Sequence, residues 1–140
     1  MDKAPMNKMR FYVASATLMN KIYASGDFDG SVEVYDPVLD VWEFLPQMTE
    51  IRSHAACVAF KNKIYVIGGF NGGQPQIYTS VEIFNPTTNE WSFGPSLQVR
   101  RSGARAVAYN DKIFVIGGFY GTRRLKTVEV YDPLVSSYFQ

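Results

Sequence analysis

The residues able to do chemistry in this chain are few, and most come in threes. It holds one histidine, His54, and one cysteine, Cys57. A His/Cys metal cage needs three or four such ligands, so a protein-only site of that kind is excluded. A thiol nucleophile needs a base within hydrogen-bond reach. His54 and Cys57 are three residues apart on or beside one extended segment, which sends their side chains to opposite faces. Cys57 therefore reads as a small core residue. His54 reads as a loop residue that makes either a contact or a structural hydrogen bond. Asp27-Phe28-Asp29-Gly30 has the opening of a calcium loop but lacks the third oxygen ligand and the closing glutamate, so it reads as a solvated turn. No metal and no cofactor is expected.

The carboxylates Glu33, Glu82 and Glu129 and the guanidinium groups of Arg10, Arg52 and Arg101 recur in the same wording each time. A catalytic residue is needed once, whereas a residue supplied once per repeat has a repeated structural job. Pairing of each glutamate with a repeat arginine is the expectation. Each arginine precedes an apolar pair by twelve residues: Ile22-Tyr23, Ile64-Tyr65 and Ile113-Phe114. Next come Ser25-Gly26-Asp27, Ile67-Gly68-Gly69 and Ile116-Gly117-Gly118, each followed by Phe28, Phe70 or Phe119. Then come Val-Glu-Val-Tyr-Asp-Pro or a close variant, placing Tyr35, Phe84 and Tyr131, with Trp42, Trp91 and Tyr138 five residues after the proline. All variation in length falls between the glycines and the Val-Glu pair. A period of 40 to 50 residues is that of a propeller blade or a related array.

Each repeat must place these residues with four short strands. Small residues around Ala14, Ala55-Ala56 and Ala104 suit an innermost strand near a narrow axis. Asn20, Asn62 and Asp111 fit tight hairpin turns, where positive φ is tolerated. Lys63 to Ile67 is apolar and β-branched, as a strand buried on both faces should be. Asn85-Pro86 ends the third strand, and Trp91-Ser92-Phe93 begins the fourth. No stretch has a sustained 3.6-residue apolar period, so almost no helix is expected. In 140 residues, 46% are hydrophobic and the net charge is +1, which supports a core and gives no global pull toward nucleic acid or membrane. The lone cysteine and the absence of an Asn-x-Ser/Thr sequon with a permitted middle residue point to a reducing, cytoplasmic setting.

On these residues the chain resembles kelch repeats. The resemblance spans nearly its whole length and rests on the diglycine, the Tyr or Phe before the Asp/Asn-Pro turn, and the Trp seven residues later. It implies an all-β, kelch-type β-propeller, with about three four-stranded blades. Residues 10–51, 52–100 and 101–140 are the repeats, the last truncated in its fourth strand, and residues 1–9 are the tail of a preceding blade. Ile-Gly-Gly-Phe-Asn-Gly and Arg-Arg-Ser-Gly resemble the kelch-like proteins, in which BTB and BACK domains precede a six-bladed ring, so the chain reads as about half of such a ring. A ring made from two half-propellers is the alternative. Gly26 without a second glycine implies a differently shaped first turn. Tyr138 in place of Trp should seek a partner for its hydroxyl.

The resemblance also implies a binding face and a role. Partner contacts would come from the loop after the diglycine and the loop entering the innermost strand: Phe28, Phe70, Phe119, Asn71, Tyr120, Arg123 and Arg124, then Tyr12, His54 and Gly103. The phenylalanines recur, so a structural place under the loop competes with contact. Residues 27–50 hold seven acidic and no basic residues, and residues 100–126 hold seven basic and one acidic. Arg100, Arg105, Arg123, Arg124 and Lys126 would form a basic rim that captures an acidic peptide segment. The function implied is non-enzymatic: recognition of a protein substrate for a cullin-RING ubiquitin ligase recruited through a BTB region. An actin-binding, cytoskeleton-associated role is the alternative. An enzyme propeller needs a converging Tyr, His, Cys or arginine cluster that these repeats lack. Aromatics held in core slots argue against nucleic acid.

Overall fold

In the computed structural model, residues 2–26, 29–73 and 76–140 are described. They form strands and turns, with no helix among them. The first sheet contains β1 (Ala14–Leu18), β2 (Lys21–Ser25), β3 (Val32–Asp36) and β4 (Val41–Phe44) in antiparallel sequence order. The second contains β5 (Ala56–Phe60), β6 (Lys63–Ile67), β9 (Val81–Asn85) and β10 (Glu90–Phe93). The third contains β11 (Arg105–Tyr109), β12 (Lys112–Ile116), β15 (Val128–Asp132) and β16 (Ser137–Phe139). Two-residue turns close the inner hairpins. Met19-Asn20, Lys61-Asn62 and Asn110-Asp111 all have positive φ, which matches the right-handed twist of the flanking strands.

Two elements were not legible in the repeat. Strands β7 (Phe70–Asn71) and β8 (Gln76–Ile77) pair as a small rim hairpin, as do β13 (Phe119–Tyr120) and β14 (Arg123–Arg124). Each is fixed to the loop entering its own sheet, because Ser53 bridges Phe70 and Ser102 bridges Phe119.

The sheets stack face to face like blades, with innermost strands β1, β5 and β11 adjacent. Alternation along β6 explains its burial on both sides: Ile64 and Val66 join the core shared with the first sheet, and Tyr65 and Ile67 the core shared with the third. The first core also takes Tyr23, Val34 and Phe84; the second takes Phe60, Ile113, Val115 and Tyr131. On the far face of the third sheet, Val107, Tyr109, Ile116 and Val128 are 36–70% exposed. Their counterparts Val58, Phe60, Ile67 and Val81 belong to the core against the third sheet.

Trp42 and Trp91 pack on Tyr35 and Phe84, and their indole N–H groups donate to the carbonyls of Ala4 (2.9 Å) and Pro46 (2.7 Å). Tyr138 packs on Tyr131 at 5.0 Å between ring centroids. Its hydroxyl is buried with no hydrogen-bond partner among the described residues, contrary to the expectation. Burial raises the phenol's pKa accordingly. Tyr138→Phe removes an unsatisfied polar atom while keeping the ring, so it should raise stability by about 1 kcal/mol in urea denaturation.

Candidate functional site

The repeat arginines and glutamates form three copies of one buried clamp. Arg10 donates to Glu33 (2.9 Å), Arg52 to Glu82 (3.1 Å) and Arg101 to Glu129 (2.9 Å), and all six side chains are about 1% exposed or less. The other guanidinium nitrogens are bonded as well. Arg52 donates to the carbonyls of Gly68 and Ser80 at 2.8 Å and to the Ser80 hydroxyl at 2.6 Å. Arg101 repeats this on Gly117 and Thr127, and Arg10 on Gly26 and Ser31. Each carboxylate also accepts two backbone N–H groups from the segment leading into its own sheet, Asn7 and Lys8 donating to Glu33. Thr49 and Glu50 donate to Glu82 at 2.7 and 3.0 Å, and Gln98 and Val99 to Glu129 at 2.6 and 3.1 Å. Burial lowers the Arg52 pKa, opposed by the adjacent Glu82. The expected pairing is therefore present, and it locks each crossover onto the next blade.

The diglycine of the second repeat lets the second and third blades approach. Gly69 donates to the Arg101 carbonyl at 2.8 Å, and a Cβ on Gly68, at φ +67°, would lie 2.4 Å from that same oxygen. Gly26 has φ +119° against +67° and +66° at Gly68 and Gly117, so the first turn is shaped differently, as its missing diglycine implied.

These clamps set three entry loops side by side on one face. Two residues after each arginine stand Tyr12, His54 and Gly103, all in the left-handed region at φ 56°, 56° and 74°. Tyr12 and His54 stack with ring centroids 3.8 Å apart and planes inclined by 30°. The Gly103 N–H donates to the His54 carbonyl at 2.7 Å, and the Phe119 ring comes within 3.3 Å of where a Gly103 Cβ would be. The Ser53 hydroxyl lies 3.0 Å from the His54 Nδ1.

Strand meander topology puts the rim hairpins on this same face. Phe119 and Tyr120 are 46% and 45% exposed, Phe70 and Asn71 are half-buried, and Arg123 and Arg124 are exposed. Both arginine side chains lack a hydrogen bond or ion pair among the described residues. Phe28 lies outside the described residues. The charge tally needs correction. Arg101 and Glu33 are consumed in buried clamps, whereas Arg100, which donates to the Ile77 carbonyl, and Arg105, Arg123, Arg124 and Lys126 are exposed in the basic stretch. Asp29 is engaged too. Burial pushes its carboxyl up, but Lys8 and the Ser31 hydroxyl and N–H outweigh that and hold it at about 2.

Cys57 sits half-buried on the wall of a cavity along the axis, about 340 Å³ in volume, and burial pushes its thiol up to about 12. With the thiolate scarce near pH 8, iodoacetamide should modify the native chain about 100-fold or more slowly than the urea-unfolded chain. The native thiol keeps its proton after the unfolded one has lost it, so stability should fall as pH rises from about 9 toward 12. No group of three His, Cys, Asp or Glu side chains able to hold a metal ion occurs among the described residues.

Stacked four-stranded blades with loops gathered on one face define a β-propeller module built for protein interaction. The Kelch motif matches residues 9–49, 51–98 and 100–137, and the chain belongs to the kelch-repeat family. Among solved structures it is similar to one titled "Structure of YjhT", with a TM-score of 0.86 and 16% identity, covering 96% of this chain and 50% of that one. That likeness is one of fold, and this chain spans half of YjhT's length. No curated protein matches it.

Proposed function

We propose that this chain recognises a partner protein through its entry-loop face and serves, within a six-bladed ring, as the substrate-recognition part of a cytoplasmic cullin-RING ubiquitin ligase adaptor of the kelch-like type. The observation that carries the reading is the meeting of three entry loops and two rim hairpins on one face, with exposed aromatics and unpaired arginines there. Aromatics and arginines are the residue types that dominate interface energetics. The uncovered apolar face of the third sheet supports stacking of further blades.

Backbone strain supports it independently. A left-handed conformation costs a side-chain-bearing residue about 1–2 kcal/mol, and Tyr12 and His54 both bear it where the third repeat uses glycine. Strain of this kind is retained where the side chains are used. The combined variant Tyr12→Gly, His54→Gly, Arg123→Glu, Arg124→Glu should therefore fold as well as wild type yet lose capture of its partner. Ubiquitylation of that captured protein should fall when the full-length gene product is depleted. Unchanged ubiquitylation, together with actin cosedimentation that the variant abolishes, would place the chain in the cytoskeletal role instead.

A further inference from the structure

Four aromatic rings gather where the entry loops of the first and second blades meet. Phe11 and Tyr12 have ring centroids 5.2 Å apart with planes inclined by 59°, and the Tyr12 ring stacks in turn on His54. The fourth ring is Phe70, whose backbone is bridged to Ser53 of the entry loop. A Cβ on Gly72 would lie 3.4 Å from the Phe70 ring edge, so the ring itself rests against the glycine turn of the rim hairpin. These rings line one cleft of about 290 Å³ with Ile51, and its lining is mostly carbon. That volume is at the small end for ligand sites, room for one side chain rather than a whole ligand.

Aromatic faces accept either an apolar group or a cation, and the surrounding charge decides between them. No lysine or arginine lines the cleft. Glu50 directly precedes Ile51, and its carboxylate accepts from the Tyr78 hydroxyl at 3.3 Å. Asn71, on the cleft wall, lies beside that same hydroxyl. Glu50 has no ion-pair partner among the described residues. Arg52 is close enough to feel its charge but is already matched by Glu82, and Lys8 is matched by Asp29. One uncompensated negative charge therefore stands beside ring faces whose own quadrupole attracts cations.

We propose that this cleft receives a cationic side chain of the partner, an arginine by preference, whose planar guanidinium stacks on the rings while Glu50 attracts its charge. The inference rests on the reading that this face binds protein, and it adds the side-chain chemistry that the first two blades select.

Immobilised pools of ten-residue peptides, with random flanks and Arg, citrulline, Leu or Glu fixed at the centre, test it on the full chain. Citrulline has the shape of arginine without its charge. Wild type should retain the Arg pool about tenfold over the citrulline pool, in line with a partly desolvated cation–π contact. Glu50→Gln keeps an acceptor for the Tyr78 hydroxyl, and Phe70→Leu keeps an apolar side chain without the ring. Both should hold the urea midpoint near wild type while losing most of the Arg preference. Should Phe70→Leu lower the midpoint, Glu50→Gln decides alone. Equal retention of the Arg and citrulline pools by wild type overturns the inference, as does stronger retention of the Leu or Glu pool or an Arg preference undiminished in Glu50→Gln. If retention is still lost in the variant Tyr12→Gly, His54→Gly, Arg123→Glu, Arg124→Glu, protein binding at this face stands without it. If wild type retains no pool at all, both fall.

Discussion

Replacing Glu82 by alanine should lower the unfolding free energy by about 3–5 kcal/mol, the cost of leaving one member of a buried ion pair uncompensated. The loss exceeds that of an ordinary surface pair because Arg52 and Glu82 are fully buried, and because the carboxylate alone receives the Thr49 and Glu50 N–H groups. Removing it strands the guanidinium and two backbone donors together. Glu82→Gln, nearly the same shape, should recover only part, since an amide offers a single oxygen to donors now spread over two. Arg52→Lys should also fail, because one ammonium cannot reach Glu82, the Gly68 and Ser80 carbonyls and the Ser80 hydroxyl together. Urea denaturation followed by tryptophan fluorescence measures all three. A loss under about 1 kcal/mol for Glu82→Ala would mean that the clamp is not what holds the crossover.

Gly68→Ala should cost about 3 kcal/mol or more, combining left-handed strain with a backbone clash. Its Cβ would sit 2.4 Å from the Arg101 carbonyl oxygen, and that oxygen is held by the Gly69 N–H. The second and third blades would have to move apart, opening the core around Val81 and Ile113. Gly121→Ala is the control. Gly121 has the same φ of +66° on the tip of the third-blade hairpin but nothing within 4 Å of a Cβ, so it should lose only the conformational term of about 1 kcal/mol. Equal losses at the two sites would remove the close approach of blades as the reason for the diglycine.

What could be read from the sequence was whatever repeats. The inner turns, the doubly buried second strand and the Arg–Glu pairing were legible because the same side chains recur at fixed spacing. The other half of each clamp was not. Its donors are backbone N–H groups on Asn7, Lys8, Thr49, Glu50, Gln98 and Val99, which share no side-chain chemistry.

The rim hairpins escaped for a similar reason. Each strand is two residues long, too short for a period-2 pattern, and each is held by a bridge to Ser53 or Ser102 some 17 residues earlier. Positive φ at Tyr12 had no local signal, and at His54 only the modest enrichment of histidine in that region, too weak to read without the fold. The charge tally misled at Arg101 and Glu33, because counting charges along a chain does not reveal which are sealed inside it. The candidate face was thus located by position in the repeat, whereas its strain and its unpaired arginines came from the folded arrangement.

The central claim is that partners dock on the entry-loop face. Photo-crosslinking tests it most directly, with benzoylphenylalanine placed in turn at His54, Tyr120, Val38 and Leu134. Val38 and Leu134 are both 91% exposed, in the turns at the opposite ends of the strands. The account predicts a discrete crosslinked partner from His54 and Tyr120 and none from Val38 or Leu134. Crosslinks from Val38 and Leu134 with none from the other two would contradict it.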